Sequence, residues 1–132
     1  ARIAASTPER SVEPSQTDDA GQLISIRASE GQWRELAEGV LLKKLHVDPA
    51  TGIATSLVRM LPGTVLPVHR HNVVEQFFII EGDCQVAGQS LTSGDYHRAE
   101  AGSRHGSTST VEGTMFLLIA PERYDVFDTL EP

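Results

Sequence analysis

Residues 63–82, GTVLPVHRHNVVEQFFIIEG, decide the reading of this chain. A glycine opens the stretch and another closes it. Between them His69 and His71 are separated by one residue, and Glu75 heads the apolar run Gln76-Phe77-Phe78-Ile79-Ile80. On an extended strand, residues i and i+2 leave the same face about 6.6–6.8 Å apart along the backbone, so the two imidazoles converge on one side. A carboxylate at the head of an apolar strand needs a partner of opposite charge. Farther on, His105 lies beside Gly102, Ser103 and Gly106, in a segment able to return across a sandwich and supply a third imidazole. Three neutral nitrogens and one carboxylate suit zinc, iron, manganese, cobalt or nickel, with positions left open for water or a small molecule. The spacing predicts one divalent transition metal, zinc favoured, held by His69, His71, Glu75 and His105.

On either side of this stretch, short runs of Val, Ile, Leu and Phe are separated by turn signals at Asp48-Pro49-Ala50-Thr51-Gly52, Pro62-Gly63, Glu81-Gly82-Asp83, Ala87-Gly88-Gln89, Thr92-Ser93-Gly94-Asp95 and Glu112-Gly113. This rhythm predicts an all-β sandwich or barrel. Strands are expected at 22–27, 33–36, 40–47, 53–61, 64–69, 74–80, 83–87, 89–92, 96–98, 104–108, 114–120 and 124–128. One competing helix, Ser29 to Glu38, is bracketed by Gly31 and Gly39 and too short to prefer.

The 132 residues suit a single domain. Residues 1–20 hold two prolines, many small polar residues and no aromatic, and are expected to form a disordered linker or tail ahead of one domain at 21–132. Eleven Lys+Arg against 18 Asp+Glu give a net charge of −7, a field that repels nucleic acid. No apolar run approaches the roughly 20 residues of a membrane helix. Residues 1–20 lack the basic start and apolar stretch of a secretory signal. The lone Cys84 cannot pair within the chain, which fits a cytoplasmic location. Because the chain starts at Ala1, it is read as a processed protein or a piece of a longer one.

The pattern Gly63-x5-His69-x-His71-x3-Glu75-x6-Gly82 resembles the first cupin motif at every defined position, and Gly94-x5-Glu100-x-Gly102-x2-His105-x3-Ser109 resembles the second. Glu100 stands where that family usually has proline, and Ser109 where it has asparagine. The resemblance implies a double-stranded β-helix, or jelly roll, with the metal site already deduced. Leu57-Val58-Arg59-Met60-Leu61-Pro62-Gly63, Gly94-Asp95-Tyr96 and Gly102-Ser103 are most similar to the cupin domains of zinc-binding anti-sigma factors of the ChrR kind. That likeness implies a regulatory domain sensing a small-molecule ligand or oxidant, with a sigma factor as partner through a separate N-terminal domain. The same motifs are similar to metal-dependent dioxygenases that cleave dicarbonyls, so the likeness leaves enzyme and sensor both open, and no catalytic residue is singled out.

Among the remaining residues, Cys84 alternates with Val86 and is expected inside, as a core residue in preference to a redox sensor. His97 is read as a surface histidine on a hairpin in preference to a group facing the site, and His46 as a surface residue. Arg59 and Tyr96 are within the vocabulary of anion binding, but neither is preferred to a structural role. If Glu75 points inward, Phe77 and Ile79 follow it, and Phe78 and Ile80 face out. Two large apolar residues outside a sheet need cover, either from the strand at 22–27 with Leu23, Ile24 and Ile26 folded back within one chain or from the same face of a second copy, and a two-fold homodimer is preferred.

Overall fold

In the computed structural model the chain is described at residues 15–16, 23–66, 69–70, 74–105 and 107–122, with strand placement alone at 15–16, 69–70 and 104–105. Contacts divide the chain into two units, Ala1–Gly31 and Gln32–Pro132. In the first, β1 (Ser15–Gln16) pairs antiparallel with β2 (Ile24–Ser25). Of the tail expected at 1–20, only this short strand falls among the described residues. No helix occurs among the described residues, hence none long and apolar enough to cross a membrane.

The second unit is built on a curled antiparallel sheet. Its first strands are β3 (Trp33–Ala37), β4 (Val40–Val47), β5 (Ile53–Met60) and β6 (Val65–Leu66). Then come β7 (His69–Arg70), β8 (Glu75–Val86), β9 (Gln89–Thr92) and β10 (Tyr96–Ala99), and finally β11 (Arg104–His105), β12 (Thr108–Ser109) and β13 (Thr114–Pro121). The order across the sheet is β3-β4-β5-β13-β8-β12-β6, with β9 and β10 also paired to β8 and β7 paired separately to β11. The competing helix at 29–38 is overruled: Trp33 to Ala37 pair with β4. The strand expected at 124–128 lies outside the described residues.

Alternation fixes the two faces. Along β5 every second residue, Ala54, Ser56, Val58 and Met60, is buried, and β13 repeats the pattern at Phe116, Leu118 and Ala120. These positions lie opposite each other in register, Val58 to Phe116 and Ser56 to Leu118, so one face becomes the core. The Phe77 and Phe116 rings meet there with centroids 4.6 Å apart. On the other face, Leu57, Leu117, Phe78 and Tyr96 stand side by side across four strands.

The segment Glu81-Gly82-Asp83 is not the turn expected from its composition; it runs inside the twelve-residue β8. The register against β13 slips between Met115 and Phe116, so two residues oppose one and the strand bends instead of reversing. Gly82 sits at φ +86°, where a Cβ would overlap the carbonyl oxygen of Gly113 and come 2.8 Å from Thr114 Cα. The glycine is there for close approach of two backbones. Next to it, the carboxylate of Asp83 accepts the amide N–H groups of Val111 (2.9 Å) and Glu112 (2.7 Å), tying the bend to the turn before β13. Those bonds, the first from Val111, with Gln85 Nε2 adding a donor, hold the Asp83 carboxyl down at about 2.

Candidate functional site

Two of the four expected ligands are brought together by the backbone. In the β7–β11 pair His69 lies directly opposite His105. Opposed positions of an antiparallel pair carry their Cβ atoms about 4.5–5.5 Å apart. His71 lies outside the described residues. Among the described residues no group of three or more His, Cys, Asp or Glu is gathered closely enough to hold an ion, so the four-ligand set remains an expectation as a whole.

Glu75 begins β8 on the inward face, with Phe77 and Ile79 following it as the parity argument requires. It is only 3% exposed. Burial raises its carboxyl to about 7, because desolvation penalises the charged form. The donor types fit a divalent metal: a hard carboxylate, together with imidazoles from the opposed histidine positions.

Glu75 also lines an open-sided pocket of ≈80 Å³ on the inner face of the curled sheet. Apolar side chains from β4, β5, β8 and β13 form most of its wall, among them Leu42, Val58, Phe77 and Leu118. Arg34 and Lys44 reach the same space from β3 and β4, and the hydroxyl-bearing Ser56 and Thr108 border it. Reading the sequence for motifs missed Arg34 and Lys44. Their signal was parity, since Arg34 alternates with Leu36 and Lys44 with Leu42, both apolar and facing in.

The other candidates separate clearly. His97 is not the surface residue expected; it lies opposite Phe77 on β10, its ring 4.9 Å from the Phe77 ring, half-buried on the inner side. His46 is exposed, as expected. Arg59 is a structural cation on the outer face, 3.4 Å from the Glu81 carboxylate and 6.0 Å above the Trp33 ring. Tyr96 donates its hydroxyl to Gln76 Oε1 at 2.6 Å, also outside. Cys84 is fully buried, and burial together with the neighbouring Asp83 charge pushes its thiol up to about 11. That is the state of an inert core residue.

A curled, all-antiparallel sheet lined by an apolar pocket, with a buried glutamate on its inner face and an opposed histidine pair on a separate two-stranded ribbon, is the architecture of a cupin. Residues 21–124 match the family described as the ChrR cupin-like domain, and the chain belongs to it. No functionally curated protein matches the chain in sequence. Among solved structures, a cupin-like protein of Ralstonia eutropha is 26% identical (TM-score 0.56), with 63% of this chain and 55% of that one aligned. A chain of the Rhodobacter sphaeroides complex of SigE with the anti-sigma ChrR is 20% identical (TM-score 0.63), over 72% of this chain and 51% of that one. This chain thus spans about half the length of each of those two. The acetylacetone dioxygenase of Acinetobacter johnsonii is similar over 98% of this chain and 91% of its own, at 16% identity and a TM-score of 0.63.

Proposed function

We propose that this chain is a metal-binding regulatory cupin, the ligand- or oxidant-sensing domain of a ChrR-like anti-sigma factor, acting in the cytoplasm. The reading rests on the register of His69 against His105 and on Glu75, which is buried and lines a largely apolar pocket. His69, His71, Glu75 and His105 would hold one divalent ion, zinc favoured over iron, manganese, nickel or cobalt. Bound there, the ion supplies Lewis acidity and open positions for a small molecule or oxidant. Glu75, buried on the inner face of β8, would add a carboxylate to that set. The curled sheet excludes water from the far wall, and packing changes around the cavity would bias a separate sigma-binding segment. The membership in the ChrR cupin-like family supports that partner. A second copy of the chain would cover Phe78 (45% exposed) and Ile80 (39%) on the outer face as a two-fold dimer.

The dioxygenase likeness over almost the whole chain favours a second reading, a mononuclear metal enzyme acting on a chelating dicarbonyl. One sequence of measurements separates the two: metal analysis of the purified chain, then oxygen uptake with β-dicarbonyls. Stoichiometric metal without uptake supports the sensor, and metal-dependent uptake supports the enzyme. A chain that takes up none of the five metals refutes both.

A further inference from the structure

Two exposed cations of the β3–β4 hairpin, Arg34 and Lys44, border the largely apolar pocket. Lys44 is answered by Glu122 at 2.8 Å. Arg34, among the described residues, makes no ion pair or side-chain hydrogen bond. This is a chain of net charge −7, so carboxylates to pair with a guanidinium are abundant, yet this one borders a pocket whose wall is mostly aliphatic. Arg34 is exposed, so its guanidinium stands at the open rim of a largely apolar pocket, where its forked donors suit a carboxylate head group.

The strand registers say how a ligand would lie. Arg34, Leu42, Val58 and Phe116 are successive partners across β3, β4, β5 and β13, and form one inward row. The adjacent row runs Lys44, Ser56, Leu118, Phe77, and Ser56 sets a hydroxyl into the wall at 4% exposure. A molecule with its head at Arg34 therefore meets mostly aliphatic groups and the Phe116 and Phe77 rings as it extends inward, with the Ser56 and Thr108 hydroxyls the neutral polar groups on the wall. The cavity volume of ≈80 Å³ is well below the ~150 Å³ that takes a benzene ring, which restricts the body to an aliphatic chain of about four carbons. Glu75 borders the same space and would oppose an anion. It stands on β8, four places from β3 in the order of the sheet, so the head group is assigned to the Arg34 end.

We infer that the cavity binds a short-chain aliphatic carboxylate, its head on Arg34 and its chain between Leu36, Leu42 and Val58. The inference rests on the small-molecule reading of this site and names the ligand class. It is tested by titrating the metal-stripped full chain with sodium pentanoate, followed by amide NMR, with 1-pentanol and sodium acetate as comparators. Pentanoate is expected to saturate in the millimolar range and to shift β3 and β4 signals, with both comparators at least fivefold weaker. Arg34→Gln should weaken pentanoate at least fivefold without changing pentanol, and Arg34→Lys should restore part of the loss. Equal binding of pentanol or acetate, or an unchanged Arg34→Gln, overturns the inference. So does pentanoate binding that appears only after metal is restored, which would make the carboxylate a metal ligand and leave the metal reading intact. Pentanoate binding by a chain that takes up no metal would overturn the metal reading and leave this one standing.

Discussion

His69 stands directly across the β7–β11 pair from His105, and through that pairing a motif early in the chain is joined to one late in it. If the two positions share an ion, each is needed. His69→Ala and His105→Ala should each abolish stoichiometric metal, measured by plasma mass spectrometry, with the far-ultraviolet spectrum of a β protein retained. His46→Ala, on an exposed position, should leave occupancy unchanged. Metal should also leave as pH falls through the imidazole range near ~6.5, because ligation requires the neutral ring. Full occupancy at pH 4 would contradict the site.

Glu75 predicts the reverse slope for the metal-free chain. Its folded-state value, about 7, exceeds the ordinary 4.5, so the folded state keeps its proton longer than the unfolded chain does. The stabilisation that this provides is complete below about pH 4.5 and is lost as pH climbs to about 7. The span corresponds to at most about 3 kcal/mol. Denaturant midpoints of metal-stripped protein should fall across that window, and Glu75→Gln should flatten the fall. Identical pH profiles for the two proteins would refute the assignment.

Gly82 and Gly94 separate steric overlap from backbone strain. Both have positive φ, but a Cβ at Gly94 meets nothing within 4 Å, whereas one at Gly82 runs into Gly113. Gly94→Ala should cost about 1–2 kcal/mol, the penalty of a left-handed conformation alone. Gly82→Ala should cost about 3 kcal/mol or more, since two backbones must part. Equilibrium unfolding of the two variants gives the comparison directly, and equal costs would show that the bulge relaxes freely.

Neighbouring phenylalanines on β8 should behave as opposites. Phe77 is 5% exposed and packs on Phe116 and His97, so Phe77→Ala should cost about 3–5 kcal/mol. Phe78 is 45% exposed, and Phe78→Glu should leave monomer stability nearly unchanged while dissociating the dimer with metal retained. Sedimentation equilibrium checks the second half. A wild-type chain that is monomeric at tens of micromolar rejects the dimer.

The sheet was legible wherever alternation was uninterrupted. β4 at Val40–Val47 and β5 at Ile53–Met60 fall where period-two patterning puts them, and the inward parity of Glu75, Phe77 and Ile79 follows from one assumption about Glu75. Glu81-Gly82-Asp83 misled because a glycine required for close approach has the same letter as one required for a turn; only the tertiary neighbour, Gly113, distinguishes them. His97 misled for a similar reason, since a histidine on a short hairpin reads as polar until the strand it pairs with, and hence Phe77, is known. Arg34 and Lys44 were hidden by chemistry: a charged residue in an amphipathic strand is normally assigned to solvent, and here the inner face opens onto a cavity.

The sole thiol of the chain is a clock. Cys84 is wholly enclosed beside the Gly82 bend, and its raised pKa leaves little thiolate at neutral pH. An alkylating reagent can reach it only when β8 comes away from its neighbours, so its labelling rate counts opening events of the sheet's interior and ignores fraying at the edges. Because there is no second cysteine to confuse the signal, a mass shift of one adduct per chain times the lifetime of the closed sheet. The same measurement, made with and without metal or carboxylate, converts occupancy of the cavity into a change of half-life.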